Sequence, residues 1–326
     1  MLASPVSLAA NLLLVDPWGL GGIHCKARFS AWRQGFLAQL RSVAASLGAV
    51  IDLPAQIDER SLIGGLDWAA SLNQREARFD SGLLWRANRG FLQIAMAERL
   101  SPQLAGLIAQ AFDQRGIDQV FDQYPRYSDL QFGMILIDES LADEPEAPQV
   151  LRSRLAFSIS DEALRDQAVT LLSARQIAKA RALIVSGREF TNRALPRQGL
   201  SAAISARVDS GMDAGVLVAL TEAALSFGIK DLRAPQFALR AYRALEALAG
   251  VLMFSRQQQA FDTQQSDEAL SRIMALIYAP RATTLPQSLS AAQAQDRPQV
   301  TSPIPESSAE GQQEQRNHEI SPHNGP

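Results

Sequence analysis

RGFLQIAMAERLSPQLAGLIAQAFD (Arg89–Asp113) holds both of the periodicities from which the chain is built. GFLQIAM (90–96) is a short unbroken apolar run, the pattern of a strand buried on both faces of a parallel sheet. A turn follows, and then a helix start. Ser101 stands at an N-cap position, Pro102 suits the first helical residue, and Leu104, Leu107, Ile108 and Phe112 recur at helical spacing. Runs like the first lie on either side, GAVIDLP (48–54) and FGMILID (132–138), each closed by polar residues or Pro. A helix joining two such strands is a βαβ unit, so the first half predicts an α/β fold with a parallel sheet. VLRSRLAFSIS (150–160) adds a strand of Leu155, Phe157 and Ile159 with Arg154 just ahead of it.

The second half reads as helix throughout. DLRAPQFALRAYRALEALAGVLMF (231–254) places Leu232, Leu239, Tyr242 and Ala249 on one face, with Gly250 as an interruption. In SDEALSRIMALIYAPRA (266–282), Ser266 is the expected cap, with Asp267 and Glu268 in the first turn. Leu270, Ile273, Met274 and Ile277 form its stripe, and Pro280 ends it. From Leu285 the composition turns to Pro, Gln, Ser and Glu, and large apolar residues almost vanish after Val300. Such a segment cannot offset its ordering entropy by burial, which predicts disorder over 285–326. The expected organisation is an α/β core over 1–160, a small all-helical lid over 161–284, and the tail.

At 326 residues, 47% hydrophobic and 20% charged, the chain can bury an ordinary core. A net charge of -3 gives no overall bias toward nucleic acid. Lys26, Lys179 and Lys230 are the only lysines, while Arg is abundant. Arg offers a planar fork for carboxylate or phosphate, although a GC-rich genome produces the same bias. Cys25 is the only cysteine, so no intrachain disulfide can form, which fits a reducing compartment. The N-terminal apolar run lacks a basic leader and meets Asp16-Pro17 where a cleavage site would stand. No run reaches the roughly 18–20 apolar residues of a membrane span. A cytoplasmic protein without membrane contact is expected.

Several chemistries find no support. No Gly-Lys pair exists, so the P-loop pattern GxxxxGK[ST] is absent, as is GxGxxG. The glycine cluster GLGGIHCKAR (19–28) follows no clear strand and reads as a tight turn or hairpin lead-in. His24, His318 and His323 are the only histidines. His24 with Cys25 supplies two candidate ligands, short of the three or four of a zinc site. A nucleophile–base pairing through His24 lacks an indicated orienting group. The acidic run IDESLADEPE (137–146) reads as a solvated loop ahead of a divalent-cation site. Arg233, Arg240 and Arg243 recur at helical spacings and read as a solvated face. Arg154, set among apolar residues, is placed either to pair internally or to project to a neighbour.

The blocks RSLIGGLDWAASL (60–72), DSGLLWRANRGFLQIAMAERLSPQLAGLIAQAFD (80–113) and APQVLRSRLAFSI (147–159) occur in an order that resembles the AAA+ subunits of magnesium chelatase. The similarity is greatest to the D subunits of photosynthetic bacteria, and GLGGIHCKAR, GIKDLRAP, ALRAYRALEALAG and APRATTLP fit the same pattern. It covers about residues 1–286 and is weakest across 160–225. The resemblance implies a AAA+ sheet, a homo-oligomeric or mixed hexameric ring, and ATP and Mg²⁺ used at the level of the complex. It also implies bacteriochlorophyll biosynthesis, with an ATP-hydrolysing I subunit and a porphyrin-binding H subunit that receives Mg²⁺ into protoporphyrin IX. In I subunits the strand after GLLxRANRG ends in Asp-Glu, which hold Mg²⁺ and activate water. The matching residues are Ala95 and Met96, which neither coordinate a hard cation nor accept a proton. The P-loop would fall near ARFSAWRQGFLAQL (27–40), with Arg33 near the Lys place and the glycines missing. The polar residue expected beside the γ-phosphate falls at Asp138.

With these elements degenerate together, the resemblance implies a subunit that does not hydrolyse ATP. What it retains acts on a neighbour. Arg154 matches the arginine finger, which stabilises charge in an adjacent subunit's phosphoryl transfer. Arg233 matches the sensor-2 arginine of the lid, with Arg240 as fallback. D subunits continue through a Pro-rich acidic linker into a von Willebrand A-type domain, and this chain ends within linker-like sequence, as a fragment, split gene or truncation would. Two other readings fit the sequence: an ATPase whose unconventional site uses Arg33 and Glu98, and a AAA+ regulatory or scaffold module unrelated to chelation.

Overall fold

Ser4 accepts a hydrogen bond from the Ser7 amide and Pro5 sits in the first turn, so the N-terminal apolar run opens as a helix, α1 (Pro5–Val15). Every residue from Val6 to Val15 is buried. A helix apolar all round has no stripe for periodicity to detect, which is why the sequence showed only an apolar run there. The computed structural model describes residues 4–66, 71–73, 76, 79–117, 127–165, 168–190, 212–254 and 263–284. The tail over 285–326, expected to be disordered, lies outside the described residues.

The glycine cluster, expected to be a tight turn or hairpin lead-in, leads into a strand, β1 (Gly22–Lys26), that pairs in parallel on both sides and is not a hairpin arm. The turn itself is real. Gly21 has φ 73°, and a Cβ there would lie 1.9 Å from the Arg154 carbonyl oxygen, so no other residue fits. His24 and Lys26 interrupt the apolar run of β1 and hid it. There follow α2 (Ala31–Ala45), β2 (Val50–Leu53), β3 (Phe91–Ile94), α3 (Pro102–Gln114), β4 (Gly133–Asp138), the single turn α4 (Gln149–Arg152) and β5 (Phe157–Ser160). Ser101 caps α3 through the Leu104 amide at 3.3 Å, as its position predicted.

The five strands form one sheet in the order β2-β3-β4-β1-β5, and all its pairs are parallel. Side chains alternate between two buried faces. Ile23, Cys25, Ile135, Ile137, Phe157 and Ile159 pack with α1, α2 and the C-terminal helices. Leu92, Ile94, Met134 and Leu136 pack with α3 on the other face. Burial pushes the Cys25 thiol up to about 12, against a smaller opposing pull from the Arg33 charge. The thiol is therefore a core group and not a nucleophile.

Behind the first face lie α5 (Ala174–Phe190), α6 (Met212–Ser226), α7 (Arg233–Phe254) and α8 (Thr263–Tyr278), with α7 packed against α1, α5, α6 and α8. The buried face of α7 is Ala234, Phe237, Ala238, Ala241, Ala244, Ala247, Leu248 and Val251, mostly small residues. The expected face was built on larger ones, and Leu232 instead lies outside the helix and is 74% exposed. α7 also runs through Gly250 unbroken, because packing of Leu248 and Val251 outweighs a helix-propensity cost of about 1 kcal/mol. Ser266 falls inside α8 and does not cap it, since the helix already exists at Thr263. Ile273 and Ile277 are fully buried, as their spacing predicted. Among the described residues no helix is long and apolar enough to cross a membrane.

Arg281 ties this helical segment to the sheet. Its guanidinium donates to the carbonyls of Ile277 (2.6 Å), Ala156 (3.0 Å) and Leu155, and lies 5.8 Å from the centroid of the Phe237 ring. Burial lowers its pKa, partly opposed by the charge of Asp231. Arg281→Ala leaves these carbonyls without their charged donor and should lower the unfolding free energy by about 2–3 kcal/mol in urea titration. A change below about 0.5 kcal/mol, the range of ordinary surface substitutions, would show that the tie is dispensable.

Candidate functional site

In an open parallel sheet, ligands gather at the C-terminal strand ends where the strand order reverses, here the ends of β1 and β4. Only Ala27–Ser30 separate β1 from α2. The Ala27 amide donates to the Asp138 carbonyl at 3.0 Å, and Ser30 Oγ caps α2 through the Arg33 amide at 3.2 Å. Arg33, 6% exposed, turns back into the crevice, and its Nη1 donates to Ala27 O (2.8 Å) and Glu139 Oε1 (2.7 Å). The Glu139 amide in turn donates to Glu98 Oε2 at 3.2 Å. Arg33 and Glu98 are thus spent on holding β1, β4 and the turn after β3 together.

Asp138, at the end of β4, is fully buried. Its carboxylate accepts from His24 Nε2 (2.9 Å), the Ala147 amide (2.9 Å) and the Ser140 amide (3.0 Å). Burial alone would raise its pKa, but these hydrogen bonds, led by His24, outweigh it and hold the carboxyl well below the usual range. Next to it, Glu146 bridges Lys26 and Arg152, and the Lys26 hydrogen bond is the main cause of its lowered pKa. The run 137–146 is therefore not the uniformly solvated loop its charge suggested. Asp138 and Ser140 are buried and Glu139 and Glu146 are paired, because each has a cation or backbone amide opposite.

β3 ends at Ile94, leaving Ala95 and Met96 in the turn. Met96 is left-handed, φ 48° and ψ 52°, and more than a third exposed. Neither side chain has a group for Mg²⁺ or for a proton. Arg33 fills the space beneath the short β1–α2 connection, and Asp138 is sealed by its own donors. These residues do not fit a Mg²⁺–nucleotide. Among the described residues no group of three or more His, Cys, Asp or Glu could hold a metal ion.

His24 does have the orienting group its sequence context lacked. Asp138 approaches Nε2 from β4, while Ser158 Oγ lies 3.4 Å from Nδ1 on β5. Residues 24, 138 and 158 meet only through parallel strand pairing, for which nothing local in the sequence is a signal. At 3.4 Å the Ser158 contact is long for a hydroxyl hydrogen bond, so Asp138 is the effective partner. His24 and Ser158 open onto a cleft of about 620 Å³ lined also by Arg152, Lys230 and Arg281.

At another edge, Arg154 follows α4, its amide bonded to Leu151 O at 2.9 Å and its carbonyl packed on Gly21. Its Nε donates to Asp113 Oδ1 at 3.0 Å, its Nη2 to Asp113 Oδ2, and its Nη1 to Val150 O. Arg233, at the start of α7, places Nη2 3.5 Å from the same Asp113 Oδ2 and Nη1 3.5 Å from Ser153 Oγ. The structure therefore brings Arg154 and Arg233 onto one carboxylate. Arg240, the fallback, lies 3.5 Å from Asp16 Oδ2 instead. Asp113 is a residue the sequence reading passed over, because there it is only one acid near a helix end.

A five-stranded parallel sheet ordered β2-β3-β4-β1-β5, helices on both faces and a helical segment behind it make this a AAA+ type fold. The chain is homologous to the 60 and 67 kDa (D) subunits of magnesium chelatase. It is 30% identical over 284 residues to the magnesium-chelatase 60 kDa subunit of Cereibacter sphaeroides, covering 85% of this chain and 40% of that one. Against the 60 kDa subunit of Rhodobacter capsulatus it is 28% identical over 244 residues, 74% of this chain and 36% of the relative. The chain thus spans about two fifths of the length of these relatives. A 59-residue stretch is 39% identical to the magnesium-chelatase 38 kDa subunit of Cereibacter sphaeroides, 18% of each chain. A solved structure from Cytophaga hutchinsonii overlays 91% of this chain with 13% identity and a TM-score of 0.48. No family model matches.

Proposed function

We propose that this chain is the AAA+ part of a magnesium-chelatase subunit that does not itself hydrolyse ATP. It assembles in a cytoplasmic ring, alone or mixed with the ATP-hydrolysing I subunit, and the complex drives the H subunit to insert Mg²⁺ into protoporphyrin IX. Residues 1–160 serve as the core and 161–284 as the helical lid. Arg154 is the arginine finger offered to the neighbouring ATP site, and Arg233 assists it as the sensor-2-like arginine. The observation that carries this reading is a contrast between two places in the chain. The crevice where a nucleotide would sit is closed by Arg33, Glu139 and Glu98, while two arginines from separate elements meet at an edge. Two guanidinium groups side by side are suited to the charge that develops on a transferring phosphoryl group.

The test is phosphate release by the purified chain alone and mixed with the 38 kDa-type subunit. No turnover above a blank is expected alone, and faster hydrolysis is expected in the mixture. Ala95→Asp with Met96→Glu should leave the lone chain inactive, because two restored carboxylates do not rebuild the β1–α2 connection or evict Arg33. Turnover by the lone unmodified chain would overturn the proposal.

A further inference from the structure

Three of the five N–H donors of the Arg154 guanidinium are already taken inside the chain. Its Nε and Nη2 grip both oxygens of Asp113 and its Nη1 is taken by Val150 O. Its side chain is 13% exposed, against 40% for Asp113 and 39% for Arg233. Arg233 approaches the same carboxylate oxygen. The Asp113 carboxylate therefore occupies the fork that a phosphate would occupy, in the two-point geometry that Arg uses for either anion. It sits one residue before the C-terminal end of α3, where the helix dipole adds partial negative charge and draws both arginines inward. One carboxylate facing two guanidinium groups also leaves the trio with a net positive charge, so a more highly charged anion can take its place.

We infer that Asp113 is the resting counter-ion of Arg154 and Arg233. It holds the pair inward until a polyanion of the phosphate class, presented by a partner, displaces it. Asp113 then sets the concentration at which this edge engages, through competition, and is not itself a group that promotes phosphoryl transfer. Engagement exchanges one bidentate ion pair for another. Ser153 and the Gly21–Arg154 backbone contact stay as the fixed platform. The partner's role in this exchange rests on the arginine-finger reading above, whereas the exchange of anions at the edge does not.

Two measurements separate them. In the first, inorganic triphosphate is titrated into the chain and the arginine side-chain Nε–H signals are followed by NMR. Asp113→Asn keeps the shape of the side chain and removes the competing charge, so the triphosphate concentration at half-saturation should fall about fivefold, the scale of a partly exposed ion pair. Arg154→Ala should abolish the response of that signal set. An unchanged or raised half-saturation in Asp113→Asn, with the melting temperature retained, overturns the inference. In the second, the variant is titrated into the 38 kDa-type subunit and ATP hydrolysis is read. Half-maximal stimulation at about fivefold lower concentration supports the exchange in the assembled ring. A plateau reduced to that of Arg154→Ala would make Asp113 a positioning residue and overturn the competition. If triphosphate displaces Asp113 while Arg154→Ala leaves stimulation intact, the finger reading fails and the anion exchange stands.

Discussion

On the proposed function, Arg154→Ala is expected to lower ATP hydrolysis in the mixture with the 38 kDa-type subunit by about 10³-fold, the lower end of what a missing arginine finger costs. Arg154→Lys should recover little of it, because an ammonium keeps the charge and loses the planar fork. The loss is not expected to come from unfolding. The Arg154–Asp113 pair is partly exposed on the carboxylate side, and such pairs contribute at most about 1 kcal/mol. A melting curve close to that of the parent, beside a collapsed steady-state rate, is the diagnostic combination. Full stimulation by Arg154→Ala would remove the residue from the mechanism. Arg233→Ala should reduce the rate by a smaller factor, since Arg233 only shares the Asp113 carboxylate at 3.5 Å.

The second large effect is structural. Asp138→Ala should cost about 3–5 kcal/mol, because it strips the buried His24 ring and the Ser140 and Ala147 amides of their acceptor at once. This carboxyl titrates lower in the folded chain than in the unfolded one. A depressed pKa gives stability that is present above the unfolded value, about 4, and is lost as pH falls below it. Urea titrations between pH 3 and 7 should show a steep acid limb in the parent. Asp138→Asn, which keeps the size but not the charge, should show a shallower one. Parallel acid limbs would mean that Asp138 is not what couples folding to protons here.

Parts of this fold were legible because the signals were local. Ser101-Pro102 and the apolar spacing behind them placed α3, and the uninterrupted runs placed β2, β3 and β4. β1 was missed although it lies between β4 and β5. Its burial comes from neighbours more than a hundred residues away, and its His and Lys are paired with Asp138 and Glu146 on the far side of the sequence. α7 was misread in its face because alanines, which permit close helix approach, carry little weight in a hydrophobic pattern.

By itself the sequence determined which side-chain groups are absent at positions 95 and 96. Without Asp or Glu at 95 and 96, and without a Gly-Lys pair, no folding can supply those groups, since side-chain identity is covalent. It also determined that arginines were available, but not where they would point. That was decided by tertiary structure. Parallel pairing set His24 against Asp138, a four-residue connection turned Arg33 inward as a plug, and the approach of α7 to the end of α3 put Arg154 and Arg233 on Asp113. Each is a juxtaposition of residues distant in sequence, and the free energy that holds it comes from burying the two faces of the sheet, which no single stretch of the chain encodes.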